Sequence, residues 1–355
     1  MANPLVTVLV DTYNHERFIE EAIVSVLEQD FPRSDMEILV VDDGSTDRTA
    51  EILRKFEPEV RVLHKANGGQ ASAFNAGIPQ ARGEIIAFLD GDDWWAKNKL
   101  SRVIETMAAD PSVGLVGHGI VIVREDGFEQ TEALRGGFNF RANTVEGARL
   151  FRVRRSFMGT SRMTIRTGLV RTIGAVPEGI AIEADEYLFT LAAVLSHVQI
   201  LGEALTYYRL HDANLYQITR ADRERIARKQ RVIQILAKSV AAELERLRVP
   251  EEVRRILAGT IAVEANQLRL TLGEGWPWET VKTEWFIYRM LHPDSSVAHR
   301  VFKVLSLLPA LVLPPGTFYG LRSRAVRSNL YLEGRRRWLP MPRMTHIEKS
   351  LKAPH

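Results

Sequence analysis

The beginning of this 355-residue chain alternates between short apolar runs and segments with helical spacing. The runs are rich in β-branched residues and predict strands over 6–10, 37–41, 60–63 and 84–89, with a helix between each pair. Strands that alternate with helices in this way are typical of a mostly parallel sheet with helices on both faces. We therefore predict an α/β fold for this part of the chain.

Acidic side chains follow three of the four predicted strands. Asp11 follows the first strand, Asp43 the second, and Asp90, Asp92 and Asp93 the fourth. In parallel α/β sheets, ligands bind beyond the carboxyl ends of the strands. The acids are thus predicted to meet at one edge of the sheet, although they lie far apart in the sequence.

The turn at 90–93 offers the oxygen ligands that Mg²⁺ and Mn²⁺ prefer. Such an ion needs few protein ligands when a substrate diphosphate supplies the others. The alternative is an acidic β-turn in which Gly91 supplies a positive φ. The sequence of this turn alone does not decide between the two.

Two other turns also have a binding and a structural interpretation. In the turn at 42–45, the carboxylate of Asp43 can accept hydrogen bonds from a base or a ribose, or the turn caps the next helix. In the segment at 67–70, the backbone amides near Gly68 and Gly69 can approach a diphosphate, or the segment is only a loop.

Together, these motifs resemble the family 2 glycosyltransferases with a GT-A fold. The resemblance is strong over about the first 100 residues and continues less sharply to about residue 216. The first part consists of VTVLV…TYN at 6–14, VVDDGSTD at 40–47, NGG…NAG at 67–77 and RGE…FLDGDDWW…KL at 82–100. The second part consists of SRMTIR at 161–166, IGAVPE at 173–178, ADEYL at 184–188 and YYRLH at 207–211.

The resemblance implies an inverting enzyme with a nucleotide-sugar donor and a Mn²⁺ or Mg²⁺ ion. It implies that Asp43 contacts the base or ribose, that Asp92 binds ribose or sugar and helps to position the metal ion, and that Asp93 is the direct metal ligand. Asp185 matches the general base of inverting members. The predicted nucleotide-sugar-binding set consists of Asp11, Tyr13, Asp43, Asn67, Gly68 and Asp92.

The need for a base also follows from the chemistry of inversion. An acceptor hydroxyl must attack carbon 1 opposite the leaving diphosphate, and a carboxylate that removes its proton contributes about 10²–10⁴-fold. Asp185 and the adjacent Glu186 are the catalytic candidates, and the alternative is a helix first turn, where acids suit the dipole. His211 is either a further metal ligand or a structural histidine. Of Trp94 and Trp95, we expect at least one to be buried.

Some positions depart from the family's pattern. Asp11 stands where many relatives carry Pro or Thr, which leaves the nucleotide open, and Phe74 stands where Arg is frequent. Glu186 follows Asp185, whereas an acid usually precedes the base. The Gln-x-x-Arg-Trp pattern of processive synthases is absent because the segment ending in Trp338 lacks the Gln. A non-processive enzyme is therefore expected.

The rest of the chain predicts short strands and then long helices. Strands are expected over 114–123, 157–165, 198–200 and 204–209, and helices over 222–247 and 253–272, with a boundary near 217–222. We accordingly predict a GT-A catalytic domain over 1–218 and a helical region over 219–355. The apolar stretch at 301–313 is too short to span a bilayer and has basic neighbours. It is interpreted as an interfacial membrane helix, a core helix or a dimer contact.

Composition excludes several classes of function. The chain has no cysteine, which excludes disulfides, thiol nucleophiles and Cys-ligated zinc. No P-loop or dinucleotide fingerprint is present, so a nucleotidyltransferase is the weaker alternative, beside a non-catalytic scaffold or binding protein with this fold and a hydrolase of the donor. No signal-peptide pattern precedes the first strand, so we expect a cytoplasmic protein, at most peripheral on the inner face of the membrane.

The expected function is sugar transfer from a nucleotide-diphosphate sugar to an acceptor hydroxyl in cell-envelope or exopolysaccharide assembly. The expected partners are the donor and a saccharide or lipid-linked saccharide acceptor. A membrane surface and a second copy of the chain are further candidates, and no nucleic acid partner is expected.

Overall fold

A computed structural model describes residues 4–211, 223–293 and 295–326. The predicted alternation is present: β1 (Val6–Thr12), β2 (Met36–Asp42), β3 (Arg61–His64) and β4 (Ile85–Asp90) are separated by α1 (Ile19–Leu27), α2 (Thr49–Leu53) and α3 (Gln70–Gly77). These strands are parallel and lie in the order β3-β2-β1-β4. The expected α/β fold is confirmed.

Burial explains why the first strand reads as a continuous apolar run. β1 lies between β2 and β4, and its residues Val8, Leu9 and Val10 are fully buried although they point to alternate faces. Helices that cover both faces of a parallel sheet produce this pattern. The polar residues therefore begin only at the end of the strand, where the backbone leaves the core.

The second half of the sheet is mixed. Its elements are β5 (Trp94–Trp95), α4 (Lys99–Ala109), β6 (Val113–Arg124), β7 (Glu129–Glu132), β8 (Phe138–Phe140), α5 (Val145–Arg154), β9 (Thr164–Arg166), α6 (Thr167–Ile173), α7 (Ala184–Leu195) and β10 (His197–Leu210). The sheet continues in the order β4-β9-β6-β10-β5, with β7 paired to β6 and β8 to β10. Among the described strands of this half, β6 and β10 pair in parallel and the other pairings are antiparallel.

The structure corrects three predicted strands in this half. The predicted strand at 157–165 is wrong, since Arg155–Met158 and Thr160–Arg162 are short 3₁₀ turns and only Thr164–Arg166 is a strand. The backbone amide of Thr160 donates a hydrogen bond to Asp185, and the hydroxyl of Ser161 donates one to Asp93. Hydrophobic spacing does not predict these polar contacts. The two strands predicted at 198–200 and 204–209 form one strand, β10, with a register shift between them.

The remainder is helical, as predicted. It consists of α8 (Arg223–Arg246), α9 (Glu251–Thr271), α10 (Pro277–Leu291), α11 (Val297–Leu307), α12 (Pro309–Val312) and α13 (Pro315–Val326). None of the helices in the described part of the chain is long and apolar enough to cross a membrane. The predicted boundary at 217–222 and the residues after 326, including Trp338, lie outside the described residues.

The described chain divides into two compact units. One comprises the residues up to 211 together with 231–262, and the other comprises 223–230 and 263–326 apart from 294. The second unit has its own small core of Leu270, Leu307, Ala310, Phe318 and Tyr319. The division into domains at 218 stays a prediction.

Candidate functional site

The acids predicted to share an edge of the sheet lie at the ends of adjacent strands. Asp11 of β1 is directly opposite Asp90 of β4 in the parallel register. The backbone amide of Gly91 donates to the carbonyl of Asp11 at 2.9 Å, and that of Asp43 donates to the carbonyl of Thr12 at 2.9 Å. The turns after β2 and β4 are thus both anchored to the end of β1.

Close packing fixes the turn after β4. A side chain at Gly91 would lie 2.6 Å from the hydroxyl of Thr12 and 2.8 Å from a ring nitrogen of His15. Both distances are too short for a real Cβ atom, so glycine at this position lets the acidic turn lie against β1. The turn is therefore held in place by packing as well as by its hydrogen bonds.

Four carboxyl groups at this edge lack enough positive charge to balance them. Burial, with the neighbouring Asp92, raises the pKa of Asp93 to about 8. The pKa of Asp90 is raised well above its usual range by burial and by Asp11, and that of Asp11 by burial and by Asp92. Burial also raises the pKa of Asp185. A cluster of this kind favours a bound cation or bound protons.

Short polar contacts hold these carboxyls in place. Asp93 accepts hydrogen bonds from the Ser161 hydroxyl at 2.6 Å and from the backbone amide of Arg209 at 3.0 Å. The side-chain amide of Gln70 donates to Thr160 at 3.0 Å and contacts Asp90 at 3.4 Å. These bonds link β4 and β10 to the 3₁₀ turn at Thr160–Arg162.

Two histidines flank the fifth acid, Asp92. The Nε2 atom of His211 lies 3.1 Å from Asp92 Oδ2, and that of His15 lies 3.8 Å from the same oxygen. Burial alone would raise the pKa of Asp92, but the two histidines outweigh it and lower that pKa. The His211 side chain is 2% exposed, so the predicted metal-ligand candidate faces Asp92 from inside the protein.

The turn after β2 has its charges matched. The carboxylate of Asp43 accepts from the amides of Gly68 and Gly69 at 3.1 and 2.7 Å, and from the ammonium of Lys65 at 2.5 Å. Gly44 has a φ of +79°, and a Cβ there would lie 2.7 Å from the amide nitrogen of Asn67. The amide of Gly68, predicted to approach a diphosphate, is therefore directed at Asp43 in this structure.

The remaining predicted donor contacts lie at the surface of the same edge. Tyr13 is 42% exposed, and Asn67 and Gly68 are exposed. Asn14, next to Tyr13, has a φ of +56°, and its side-chain oxygen accepts from the amide of Thr46 at 2.7 Å. This bond ties the loop after β1 to the turn after β2.

The two catalytic candidates at the start of α7 have opposite surroundings. The Oδ2 atom of Asp185 accepts from the amide and the hydroxyl of Thr160 at 3.0 and 3.2 Å. Glu186 is 3% exposed and pairs with Arg152 at 2.7 Å and Arg155 at 2.5 Å. Burial alone would raise the pKa of Glu186, but the two guanidiniums outweigh it and hold that pKa below its usual range. Both carboxylate oxygens of Glu186 are thus engaged by cations, whereas Asp185 belongs to the acidic cluster.

Several residues at this edge were missed by the sequence analysis. Arg162 lies near Asp93 and Asp185; burial lowers the pKa of its guanidinium, and the two carboxylates act in the opposite direction. Its position one residue after Ser161 in the SRMTIR motif was the available signal. His15 gave no such signal, since it lies in a turn without a motif.

Trp95 is 3% exposed, which confirms the expected buried tryptophan, and Trp94 stacks on Tyr207.

A divalent cation fits the acidic cluster. Within the described residues, no three His, Asp or Glu side chains are already arranged around one point that suits a metal ion. Mg²⁺ and Mn²⁺ that bind a substrate diphosphate need only one or two carboxylates from the protein. The Oδ1 atom of Asp11 is buried and accepts no hydrogen bond from any described residue, and burial raises the pKa of Asp93. Within the described residues, the protein therefore does not fully compensate negative charge at this position, and a bound cation would do so.

Comparison with known sequences finds a family match over part of the chain. Residues 7–172 match the model of glycosyl transferase family 2. An uncharacterized glycosyltransferase of Nostoc sp. is 33% identical over 216 residues, which are 59% of this chain and 66% of that protein. The putative teichuronic acid biosynthesis glycosyltransferase TuaG of Bacillus subtilis is 38% identical over 128 residues, 35% of this chain and 50% of that protein. This chain thus covers less than two thirds of the length of either relative.

Solved structures agree on the fold. Residues 1–349 of TarS from S. aureus, solved in complex with UDP-GlcNAc, superpose with a TM-score of 0.51 at 19% identity, covering 84% of this chain and 92% of that one. The mannosyltransferase PcManGT from Pyrobaculum calidifontis, in complex with GDP-Man and Mn²⁺, gives 0.51 at 22% identity, covering 95% and 88%. The fold is therefore GT-A-like, and residues 7–172 of the chain match the model of glycosyl transferase family 2.

Proposed function

We propose that this protein transfers a sugar from a nucleotide-diphosphate sugar to an acceptor hydroxyl with inversion at carbon 1. The observation that carries the proposal is the cluster of Asp11, Asp90, Asp92, Asp93 and Asp185 at one edge of the sheet, with raised pKa values at four of them. The family match supports the reaction class, and the cluster supplies the groups that the reaction needs.

The cluster supports divalent metal use. Asp93 would hold a Mn²⁺ or Mg²⁺ ion, with Asp92 beside it and His211 fixing the orientation of Asp92 at 3.1 Å. A bound ion of this kind supplies positive charge that stabilises the departing diphosphate. The neighbouring fold of PcManGT, solved with GDP-Man and Mn²⁺, is consistent with this assignment.

The donor would lie along the edge between the turns after β1 and β2. Lys65 and two glycine amides hold the Asp43 side chain in one position, so it would form a fixed part of this surface. Exposed Tyr13 and Asn67 are available to the nucleoside. UDP-GlcNAc and GDP-Man, held by the two structural neighbours, represent the donor class that this surface would accept.

Asp185 would act as the general base. It would take the proton of the acceptor hydroxyl as that oxygen bonds to carbon 1 and the bond from carbon 1 to the diphosphate oxygen breaks, so that the electron pair leaves with the diphosphate. Its raised pKa suits a base, because a carboxylate with a pKa closer to neutral accepts a proton more readily. Glu186 would instead serve the fold through Arg152 and Arg155.

The acceptor would be a saccharide or a lipid-linked saccharide. The relatives of this chain include TuaG, a putative teichuronic acid biosynthesis glycosyltransferase, and TarS, a poly(ribitol-phosphate) β-N-acetylglucosaminyltransferase. These similarities support a place in the assembly of an envelope or extracellular polysaccharide.

Thermal unfolding in a panel of UDP-, GDP-, dTDP- and CDP-sugars, with and without Mn²⁺, tests the proposal. One donor should raise the unfolding midpoint only when Mn²⁺ is present. With that donor, Asp185→Asn should keep the shift in midpoint but lower nucleoside-diphosphate release by about 10²–10⁴-fold. The matched control is Asp30→Asn, an exposed acid outside the cluster. If no nucleotide-sugar stabilises the protein, the proposed activity is rejected; if Asp185→Asn is as active as Asp30→Asn, only the base is.

A further inference from the structure

Helix α11 turns its apolar side outward. Five large hydrophobic residues on or directly after it are between 46% and 76% exposed, and their spacing of three, four and seven places them on one helical face, here called the outer face of α11. Phe302 adjoins it and is 71% exposed. The outer face consists of Val297, Val301, Val304, Leu305 and Leu308. A helix at a water-facing surface normally has the reverse arrangement.

The charged residues of α11 point into its own unit instead. Lys303 donates to the carboxylate of Glu284 at 3.1 Å, and the Glu284 side chain is only 2% exposed. Arg322 of α13 pairs with the same carboxylate. Arg300 donates to the carbonyl of Pro293 at 3.0 Å. These bonds set the rotation of the helix, so the outward direction of the apolar residues follows from buried ion pairs rather than from a loose surface segment.

The charge of this region identifies what covers the outer face. Three of the four basic residues between 295 and 326 are engaged within the unit, but between 327 and 355 the sequence has seven Lys or Arg and only two Glu. A two-fold contact with a second copy would place this basic segment against itself. A membrane surface rich in anionic lipids attracts such a segment and accepts the apolar side chains at the same time.

We propose that the outer face of α11 docks on an anionic lipid surface. The helix would lie in the plane of the interface, with the apolar side chains of the outer face among the upper acyl carbons, and the excess of Lys and Arg in the sequence after it would add attraction to anionic headgroups. This inference goes beyond the proposed sugar transfer and does not depend on it. Of the three interpretations of the 301–313 stretch, it selects the interfacial helix for the exposed side, while Leu307 and Ala310 pack in the core of the second unit.

Co-sedimentation of the full chain with vesicles tests the proposal. The protein should bind vesicles of phosphatidylglycerol and phosphatidylcholine, and bind pure phosphatidylcholine more weakly. The double variant Val301→Gln/Leu305→Gln should lower partitioning by about tenfold or more, because two apolar side chains lose their burial. The matched control, His299→Gln/Ser306→Gln, changes two polar positions of the same helix off the outer face and should stay within about threefold.

Three results would overturn the proposal. One is a full chain that does not sediment with anionic vesicles, and another is equal binding by both double variants. The third is a dimer, seen by light scattering without lipid, that Val301→Gln/Leu305→Gln dissociates. Unfolding midpoints of the variants show whether they fold. If the double variant does not fold, Phe302→Gln replaces it and should lower partitioning by about threefold.

Discussion

The turns after β2 and β4 look alike in sequence but differ in electrostatic state. Each follows a buried parallel strand and carries adjacent acids and a glycine. In the first turn, Asp42 contacts the ring of His64 at 3.0 Å and Asp43 has an ammonium and two amides. In the second turn, the pKa values of Asp90 and Asp93 are raised by burial and by neighbouring acids.

The two turns therefore differ in what balances the charge of their carboxylates. The turn after β2 has its charge balanced by side chains and backbone amides of the protein itself. The turn after β4 lacks that balance, and a cation would complete it. Burying like charges without partners costs stability, which a bound ion would recover. Substitutions of the same type in the two turns should therefore have opposite effects.

The largest expected effect is on turnover, from Asp93→Asn. The proposed metal ion would contribute several kcal/mol to transfer, so losing it should lower nucleoside-diphosphate release by about 10³-fold. Metal-free stability should not fall, because burial already disfavours the ionised form of this carboxyl and the amide that replaces it carries no charge. Initial rates with the donor found in the thermal panel, and urea unfolding in chelator, measure the two effects. Normal turnover in Asp93→Asn beside an unchanged Asp30→Asn control would contradict the assignment of the cation site.

The next effect is on stability, from Asp43→Asn in the matched turn. The change leaves the Lys65 ammonium and one of the glycine amides without a full acceptor, which should cost about 2–3 kcal/mol of unfolding free energy. Urea unfolding at neutral pH measures it. Combining the change with Lys65→Met should recover part of the loss, since no unpaired cation remains. A cost as small as that of Asp30→Asn would show that the two turns do not differ in the way described.

The fold and the position of this edge could be predicted because they depend on local patterns. Buried parallel strands are continuous apolar runs, and the acids follow the ends of those runs, so Asp11 and Asp90 could be placed together from the sequence alone. A buried residue in the Trp94–Trp95 pair was predictable, and the structure shows that it is Trp95.

What could not be predicted depends on contacts between distant residues. Asp185 and Glu186 are neighbours in the sequence, and only the positions of Arg152 and Arg155 on another segment separate their roles. Likewise, Gly68 is matched to Asp43 across 25 residues, and the strand predicted at 157–165 is replaced by turns that present Thr160 and Ser161 to carboxylates. The spacing of hydrophobic residues in the sequence does not predict these polar contacts.

The pH dependence of stability without metal tests the cost of the unbalanced turn directly. Asp93 has a pKa of about 8 in the folded protein against an ordinary value of 3.8, so the folded state holds more protons between these values. Stability in chelator should therefore fall as the pH rises from about 6 to 8, by at most about 1.4 kcal/mol per pH unit for each such group.

Asp11→Asn should reduce that fall. It removes a buried carboxyl that raises the pKa of Asp90, so it should stabilise the metal-free protein by about 1 kcal/mol at pH 8 and by less at pH 6. Unfolding midpoints in chelator at the two pH values measure this difference, and Mn²⁺ should stabilise the wild type more at pH 8 than at pH 6, because protons compete with the ion. Equal destabilisation by Asp11→Asn at both pH values would mean that Asp11 serves packing, and that the unbalanced charge of this turn is confined to Asp90 and Asp93.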